Sequence, residues 1–169
     1  MTRGLRNTIA SLGAAAFSAL VLSGCSAKDD AGAEDTVVQF DSGTVVIETG
    51  ATSIRLPVEV ASTETQQQYG LMDRTKLAAD RGMIFVYDSV QDTTSGFWMF
   101  RTKIPLDVAF IDSAGTVVAI RSMEPCKSPD SQWCQGYTPG RRYQSGLEVN
   151  RGYFQQNGVA VGAKVRLER

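Results

Sequence analysis

The sequence contains no histidine, and that absence excludes more chemistry than any other single feature. Ser–His and Cys–His nucleophile systems need an imidazole base, and transition-metal sites use imidazole more than any other ligand. Catalysis in this chain would have to rest on carboxylates, Lys, Arg, Tyr, Ser or a metal held by oxygen. An excess of charge of one sign is missing as well: 17 basic residues stand against 18 acidic ones. That balance gives no electrostatic case for binding nucleic acid. Cysteine is scarce, with three in 169 residues, and no two of them have the two-residue separation of thiol oxidoreductases. Past the first few dozen residues no segment is apolar enough to cross a bilayer, which takes about 20 residues. Internal repeats are absent. No catalytic residue, metal-ligand set or cofactor motif is nominated.

The start of the chain reads as an export signal. Arg3 and Arg6 precede an uncharged apolar and small stretch from Ile9 to Leu22, too short for a stable span. The stretch ends in Leu22-Ser23-Gly24-Cys25, a string that resembles the lipobox of bacterial lipoproteins. The resemblance implies that the Cys25 thiol is alkylated with diacylglycerol and that cleavage leaves Cys25 as the first residue; an anchor helix that is retained is the alternative. Two or more acyl chains hold a protein firmly to a membrane, at about 0.8 kcal/mol per buried methylene. The expected location is the bacterial cell envelope, lipid-anchored on the extracytoplasmic side. Removing residues 1–24 takes away Arg3 and Arg6, leaving 15 basic residues against 18 acidic ones.

The chain then divides simply. Residues 25–35 are small and charged without apolar periodicity, and read as a flexible tether. Residues 36–169 are long enough for a single β-rich domain with a substantial core. Cys126 and Cys134, with seven residues between them, lie in a loop containing Pro125, Pro129, Asp130 and Ser131. In an oxidising compartment a disulfide is the default for such a pair, and a redox or metal pair is the alternative. Closing this loop would stabilise the fold by roughly 2.5 kcal/mol on the chain-entropy estimate.

Short strands dominate the pattern. Thr36 to Phe40 and Thr44 to Glu48 flank Asp41-Ser42-Gly43, a hairpin signature. Ile54, Leu56, Val58 and Val60 alternate with polar residues and with Pro57, which argues for an edge strand. Thr63 to Met72 carries capping residues and is a helix candidate that Gly70 shortens. Further strands are expected at Gly82 to Tyr87, Gly96 to Thr102, Leu106 to Asp112, Thr116 to Met123, Tyr143 to Val149 and Lys164 to Glu168. Asn150 is expected to cap a short helix over Arg151 to Gln156. The sum is a mainly β chain: an antiparallel β-sandwich or barrel-like domain with two short helices.

Several blocks in order carry a family resemblance. They are Gly70-Leu71-Met72-Asp73-Arg74, Asp80-Arg81-Gly82-Met83-Ile84-Phe85-Val86-Tyr87, Phe97-Trp98-Met99, Ile104-Pro105-Leu106-Asp107 with Phe110-Ile111-Asp112, and Leu147-Glu148-Val149-Asn150. Together they resemble the domain of unknown function 192 family, over about residues 44–168. The resemblance implies a small β-rich fold, often exported, whose biochemical role is not established. Two positions depart from the family pattern. After Trp-Met the family usually has a basic residue and then Asn before Thr, where this chain has Phe100 and Arg101 before Thr102; a common later Gly-Asp is replaced by Gly162-Ala163.

The candidate site residues are polar or aromatic groups set in apolar strands. A strand through Phe97-Trp98-Met99-Phe100 sends one alternate pair into the core and the other to the surface or a groove. Trp98 on the outer side would be a stacking platform. Asp107 lies among Leu106, Val108, Ala109 and Phe110, and Glu148 lies between Leu147 and Val149. Each needs a partner; each could be structural, or the two could share a cleft for acid–base work or cation binding. Arg101 borders the same segment, while Arg74 and Arg81 could neutralise the carboxylates, bind an anion or lie solvated at the surface. The expected function is a lipid-anchored domain that binds a small molecule, glycan or protein partner through a groove bordered by Trp98, Arg101, Asp107 and Glu148. The rivals are a carboxylate-dependent hydrolase of cell-wall glycan and a passive envelope assembly component.

Overall fold

A computed structural model describes residues 37–50 and 52–169. The expected signal peptide, Cys25 and the expected tether lie outside the described residues.

The expected mainly β architecture with two short helices is what the chain adopts. In chain order the elements are β1 (Asp41–Glu48), β2 (Ser53–Ala61), α1 (Glu64–Tyr69), β3 (Gly82–Gln91), β4 (Phe97–Trp98), β5 (Leu106–Ile111), β6 (Val117–Met123), β7 (Gly136–Tyr137), β8 (Tyr143–Asn150), α2 (Tyr153–Gln156) and β9 (Lys164–Glu168). Seven strands form one sheet in the order β6-β5-β8-β3-β2-β1-β9, and β4 with β7 makes a separate two-stranded ribbon. All the pairs are antiparallel except β2 with β3. The sheet is therefore mixed, because the α1 crossover returns the chain in the same direction.

The sheet curls without closing into a barrel along its length. Its two edge strands meet at one end, where Thr116 bridges Lys164 and the Val117 N–H donates to Ala163 O at 2.9 Å. Inside the curl lies one core cluster, with Val45, Leu56, Ile84, Leu147, Val149 and Val165 among its members, and Phe154 of α2 packs into it. The second cluster covers the outer face and includes Met83, Phe85, Val108, Phe110, Phe97 and Leu71. Two buried layers on one sheet explain why β5 is apolar at nearly every position rather than alternating.

Four expectations are corrected. Asp41-Ser42-Gly43 is not a turn, because these residues open β1 and pair with Val60, Glu59 and Val58 of β2. Gly43 is needed for close packing instead: a Cβ there would lie 2.9 Å from Leu167 Cδ1 and 3.2 Å from Val60 Cγ2. The chain instead reverses after β1 at Thr49, whose N–H donates to Thr52 O at 3.0 Å, with Gly50 at φ 85°. Strand β2 is interior rather than an edge. Pro57 is tolerated because pairing with β3 begins only at Val58, so no neighbour on that flank needs its missing N–H. The strand expected over Gly96 to Thr102 shrinks to Phe97–Trp98, after which the chain turns, with the Thr102 N–H donating to Met99 O. Asn150 stays in β8 and its side-chain amide donates to Leu77 O and Ala78 O; Gly152, at φ 83°, leads into α2.

The disulfide between Cys126 and Cys134 is present, with Cα atoms 5.5 Å apart. It ties the loop behind the β4–β7 ribbon, and the Cys126 N–H donates to Met99 O. The ribbon itself is seated by one contact. Gly146 of β8 is flanked by Phe85 of β3 and Phe110 of β5, and the Phe97 ring lies over the gap left by its missing side chain. A Cβ at Gly146 would fall 2.4 Å from Phe97 Cζ. Around it, Phe97 meets Phe85 and Phe110 edge-on, at centroid distances of 4.9 and 5.5 Å. Gly146→Ala is accordingly expected to cost about 1–3 kcal/mol in urea unfolding, typical of overpacking, and to displace the ribbon; an unchanged midpoint would rule out this seating.

Candidate functional site

Strand register decides where the two buried carboxylates go. On β5 and β8, Asp107 pairs with Val149 and Val108 pairs with Glu148. Paired residues share a face and neighbours alternate, so Asp107 points to the inner face with Val149, while Glu148 points to the outer face with Val108 and Met83. The two acids therefore do not meet. Each is buried, Asp107 at 5% exposure and Glu148 at 4%, and their surroundings differ in kind.

Asp107 is fully partnered. Ser122 Oγ of β6 donates to Oδ1 at 2.6 Å, and the Gly152 N–H donates to Oδ2 at 2.8 Å. The carboxylate thereby pins the β8–α2 turn to the β5–β6 pair, the role a buried acid takes when local donors exist.

Glu148 has no such donors. Among the described residues no side-chain nitrogen or oxygen is both sealed from solvent and unpartnered, so the Glu148 carboxyl, to which none of the described residues brings a hydrogen-bond donor, opens to the space above it. That space is a narrow cleft of about 20 Å³ lined by Gln67, Gln68, Tyr69, Gly70, Leu71, Met72, Phe85, Phe97, Trp98, Phe100 and Thr102 as well as Glu148. Burial pushes the Glu148 carboxyl up from 4.5 to about 8, because desolvation disfavours the charged form and no cation offsets it. At pH 7 the group is held mainly as the neutral acid, with one O–H to donate. Tyr87 and Tyr143 stand on the same face. Their hydroxyls are also raised by burial, that of Tyr143 to about 12.

Local structure builds the walls. Helix α1 begins at a capping box: Thr63 accepts the Gln66 N–H, and Gln66 Oε1 accepts the Thr63 N–H at 3.0 Å. The side-chain amide of Gln67 then donates to Val86 O at 2.8 Å, fixing the helix against β3. At the C-terminus Gly70 has φ 48° and packs on the Phe85 ring, where a Cβ would lie 3.1 Å from Cζ. On the opposite wall the pair Phe97 and Met99 is buried, and the pair Trp98 and Phe100 faces the cleft. Trp98 is 43% exposed at the rim, and its ring centroid is 5.9 Å from that of Phe100.

The remaining nominated residues stand elsewhere. Arg101, at φ 57°, turns away from the cleft and pairs with Asp73, to which Lys103 Nζ also lies at 3.6 Å. The Asp73 N–H donates to Arg101 O at 2.9 Å, so this contact clasps the α1 loop to the β4 turn. Arg74 makes a two-pronged contact with Glu59 at 2.5 and 3.0 Å and lies over the Phe40 ring. Arg81 borders a different cleft, with Ser42, Glu59, Arg74 and Lys76. Of the nominated residues, then, the fold brings together Trp98 and Glu148 and separates Arg74, Arg81, Arg101 and Asp107 from them. Sequence reading did not nominate Gln67, Tyr69, Met72 or Thr102. The Gly70-Leu71-Met72 block pointed at their neighbourhood, but only the fold places α1 over β8.

These features are those of a family with no assigned activity. The model described as Uncharacterized ACR, the domain of unknown function 192, matches residues 45–167, and the chain belongs to that family. No curated protein matches the chain. Among solved structures, it is similar to a candidate transcription regulator from Sinorhizobium meliloti 1021, with 29% identity, a TM-score of 0.66, and coverage of 77% of this chain and 96% of that one. It is also similar to a protein of unknown function from Novosphingobium aromaticivorans DSM 12444, with 28% identity, a TM-score of 0.66, and coverage of 78% and 89%.

Two outcomes follow from the contrast between the acids. The Glu148 carboxyl keeps its proton in the folded state up to about pH 8 and loses it near 4.5 when unfolded. Its contribution is therefore intact below pH 4.5 and falls as pH rises toward 8, by about 1.4 kcal/mol per unit at the steepest. Glu148→Gln should come nearest the wild type in urea melts at pH 4 and exceed it at pH 8; parallel curves would show the carboxyl to be well solvated. Asp107→Ala should lose about 1.5–3 kcal/mol at pH 7, because it strands the Gly152 N–H and the Ser122 hydroxyl. The same melts measure it, and a neutral effect would mean that water replaces the carboxylate.

Proposed function

We propose that this chain is a lipid-anchored extracytoplasmic binding domain whose ligand enters the cleft between α1 and the Trp98–Phe100 edge and meets the Glu148 carboxyl at its floor. One observation carries the reading: a desolvated carboxyl without a donor opens into a space walled by Tyr69, Phe85, Phe97, Trp98 and Phe100. Such a group destabilises the fold unless something binds it, and strongly shifted acids in clefts concentrate at functional sites. Aromatic walls with a few placed polar groups are the usual make-up of a small-ligand site. A small molecule, a sugar or the end of a partner chain fits that description.

The glycan-hydrolase reading is less well supported. That chemistry uses two carboxyl groups across one cleft, roughly 5–10 Å apart, and the lining supplies Glu148 alone. A passive assembly component would leave the cleft and the isolated acid without a purpose. The name of the similar Sinorhizobium meliloti structure points to transcription regulation; for direct binding of nucleic acid, a net charge of −1 offers no counterpart to phosphate. Support for the membrane address comes from the Leu22-Ser23-Gly24-Cys25 string.

Cleft and address are tested separately. In a thermal-shift screen of sugars, amines and short peptides, a ligand should raise the melting temperature of the wild type, as binding to the folded state requires. Trp98→Ala and Glu148→Gln should each lose that shift while remaining folded. Retention of the shift in both variants would sink the reading. For the address, metabolic labelling with a tagged fatty acid should mark the wild type and send it to the detergent phase, and Cys25→Ser should lose both properties.

A further inference from the structure

The cleft has two parts with different chemistry. Its inner end, above Glu148, holds about 20 Å³, room for one group the size of a water molecule. It gives onto a wider groove of about 610 Å³ bounded by Thr65, Gln68, Tyr69, Met72, Trp98 and Phe100. A ligand that fills both must lead with a very small head and trail an apolar body.

The sign of that head follows from what lines the space. Neither part includes a lysine or an arginine. Arg101, the basic residue nearest in sequence to the rim, is turned outward onto Asp73. One amide N–H of Gln67 is given to Val86 O and one of Gln68 to Glu64, and the carbonyl oxygens of both side chains remain as acceptors. Aromatic faces favour cations as well. The lining thus offers one carboxyl, ring faces, amide carbonyls and the hydroxyls of Thr65, Tyr69 and Thr102, which can accept, and no cation.

We propose that the cleft takes a primary ammonium: the –NH3+ of a small alkyl- or arylamine seats against Glu148, and its apolar body lies in the groove along Trp98 and Phe100. This deepens the binding reading and rests on it. A primary ammonium is about the size of water and carries three donors for the acceptors present; a quaternary ammonium is too wide for the inner end and has no N–H. On binding, the Glu148 carboxyl releases its proton to solvent and the carboxylate pairs with the cation, so about one proton leaves for each ligand bound at neutral pH. Among the described residues, the titratable group that senses Glu148 is Tyr87 of β3, held protonated by burial and in turn beside Tyr143 of β8; Tyr69 is the other titratable lining residue.

Calorimetric titration of the purified full chain with benzylamine, benzyl alcohol and benzyltrimethylammonium tests the proposal. Benzylamine, charged at pH 6–8, should bind with release of about one proton at pH 7, and its affinity should fall roughly tenfold from pH 7 to pH 6. The alcohol and the quaternary salt should bind at least tenfold more weakly. Glu148→Gln, shown to be folded by its melt, should lose the preference for the amine and the proton release. Equal binding of alcohol and amine, or a preference that survives Glu148→Gln, would overturn the ammonium assignment while leaving an aromatic binding cleft in place. Silence from all three compounds would also overturn it. The broader reading falls only if, in addition, Trp98→Ala and Glu148→Gln leave every response in the thermal-shift screen unaltered.

Discussion

The register of β8 is the constraint on which the remainder of the site depends. This strand is paired along most of its length by β5 on one flank and β3 on the other, and both faces of the sheet there are covered. With a period of two, each residue is assigned to the inner or the outer core, and no single one can change face without a slip that moves all of them. Leu147 and Val149 go in; Gly146 and Glu148 go out. The glycine opens the gap that seats Phe97, and the acid two residues on is thereby placed beside the ribbon that Phe97 anchors. The aromatic wall and the carboxyl at its foot are two consequences of one alternation.

The same alternation separates two acids that look alike in sequence. Asp107 and Glu148 each sit within an apolar strand, and their pairing positions differ by a single step. That step is enough to send them to opposite faces. On the inner side the β6 hydroxyl and the start of α2 supply donors, so burial of Asp107 is compensated. On the outer side Glu148 is flanked by Val108 and Met83, neither of which can donate. The difference between a structural carboxylate and a reactive one is therefore set by neighbours on other strands.

That dependence explains what could and could not be read from the sequence. Local signals were legible: the Thr63–Gln66 capping box, the alternation of Leu56, Val58 and Val60, the terminal strand at Lys164–Glu168 and the pairing of Cys126 with Cys134 were each correctly located. Signals whose meaning depends on a distant partner misled. Gly43 resembles a turn residue, yet it is glycine because Leu167 approaches it from a strand more than a hundred residues away in sequence. Pro57 looks like an edge marker, and its tolerance comes from where β3 happens to begin pairing. Asp107 and Glu148 were recognised as unusual, but whether they share a cleft is a matter of register between β5 and β8, which no local pattern encodes.

The position after Trp98-Met99 shows how a family pattern can be reinterpreted through backbone geometry. The family pattern that the sequence resembles has a basic residue and then Asn there, and an Asn in such a motif invites a ligand role for its amide. In this chain the second position is Arg101 at φ 57°, in the left-handed region that Asn enters more readily than most residues. A side chain there points away from the cleft and onto Asp73. Arg101 thus accompanies its less favourable backbone with an ion pair. The first position, Phe100, is the one that faces the groove. The ring at this point leaves the Glu148 cleft lined without a lysine or an arginine among the described residues. Strand alternation at β4 and the turn after it therefore set both the aromatic rim and its lack of positive charge.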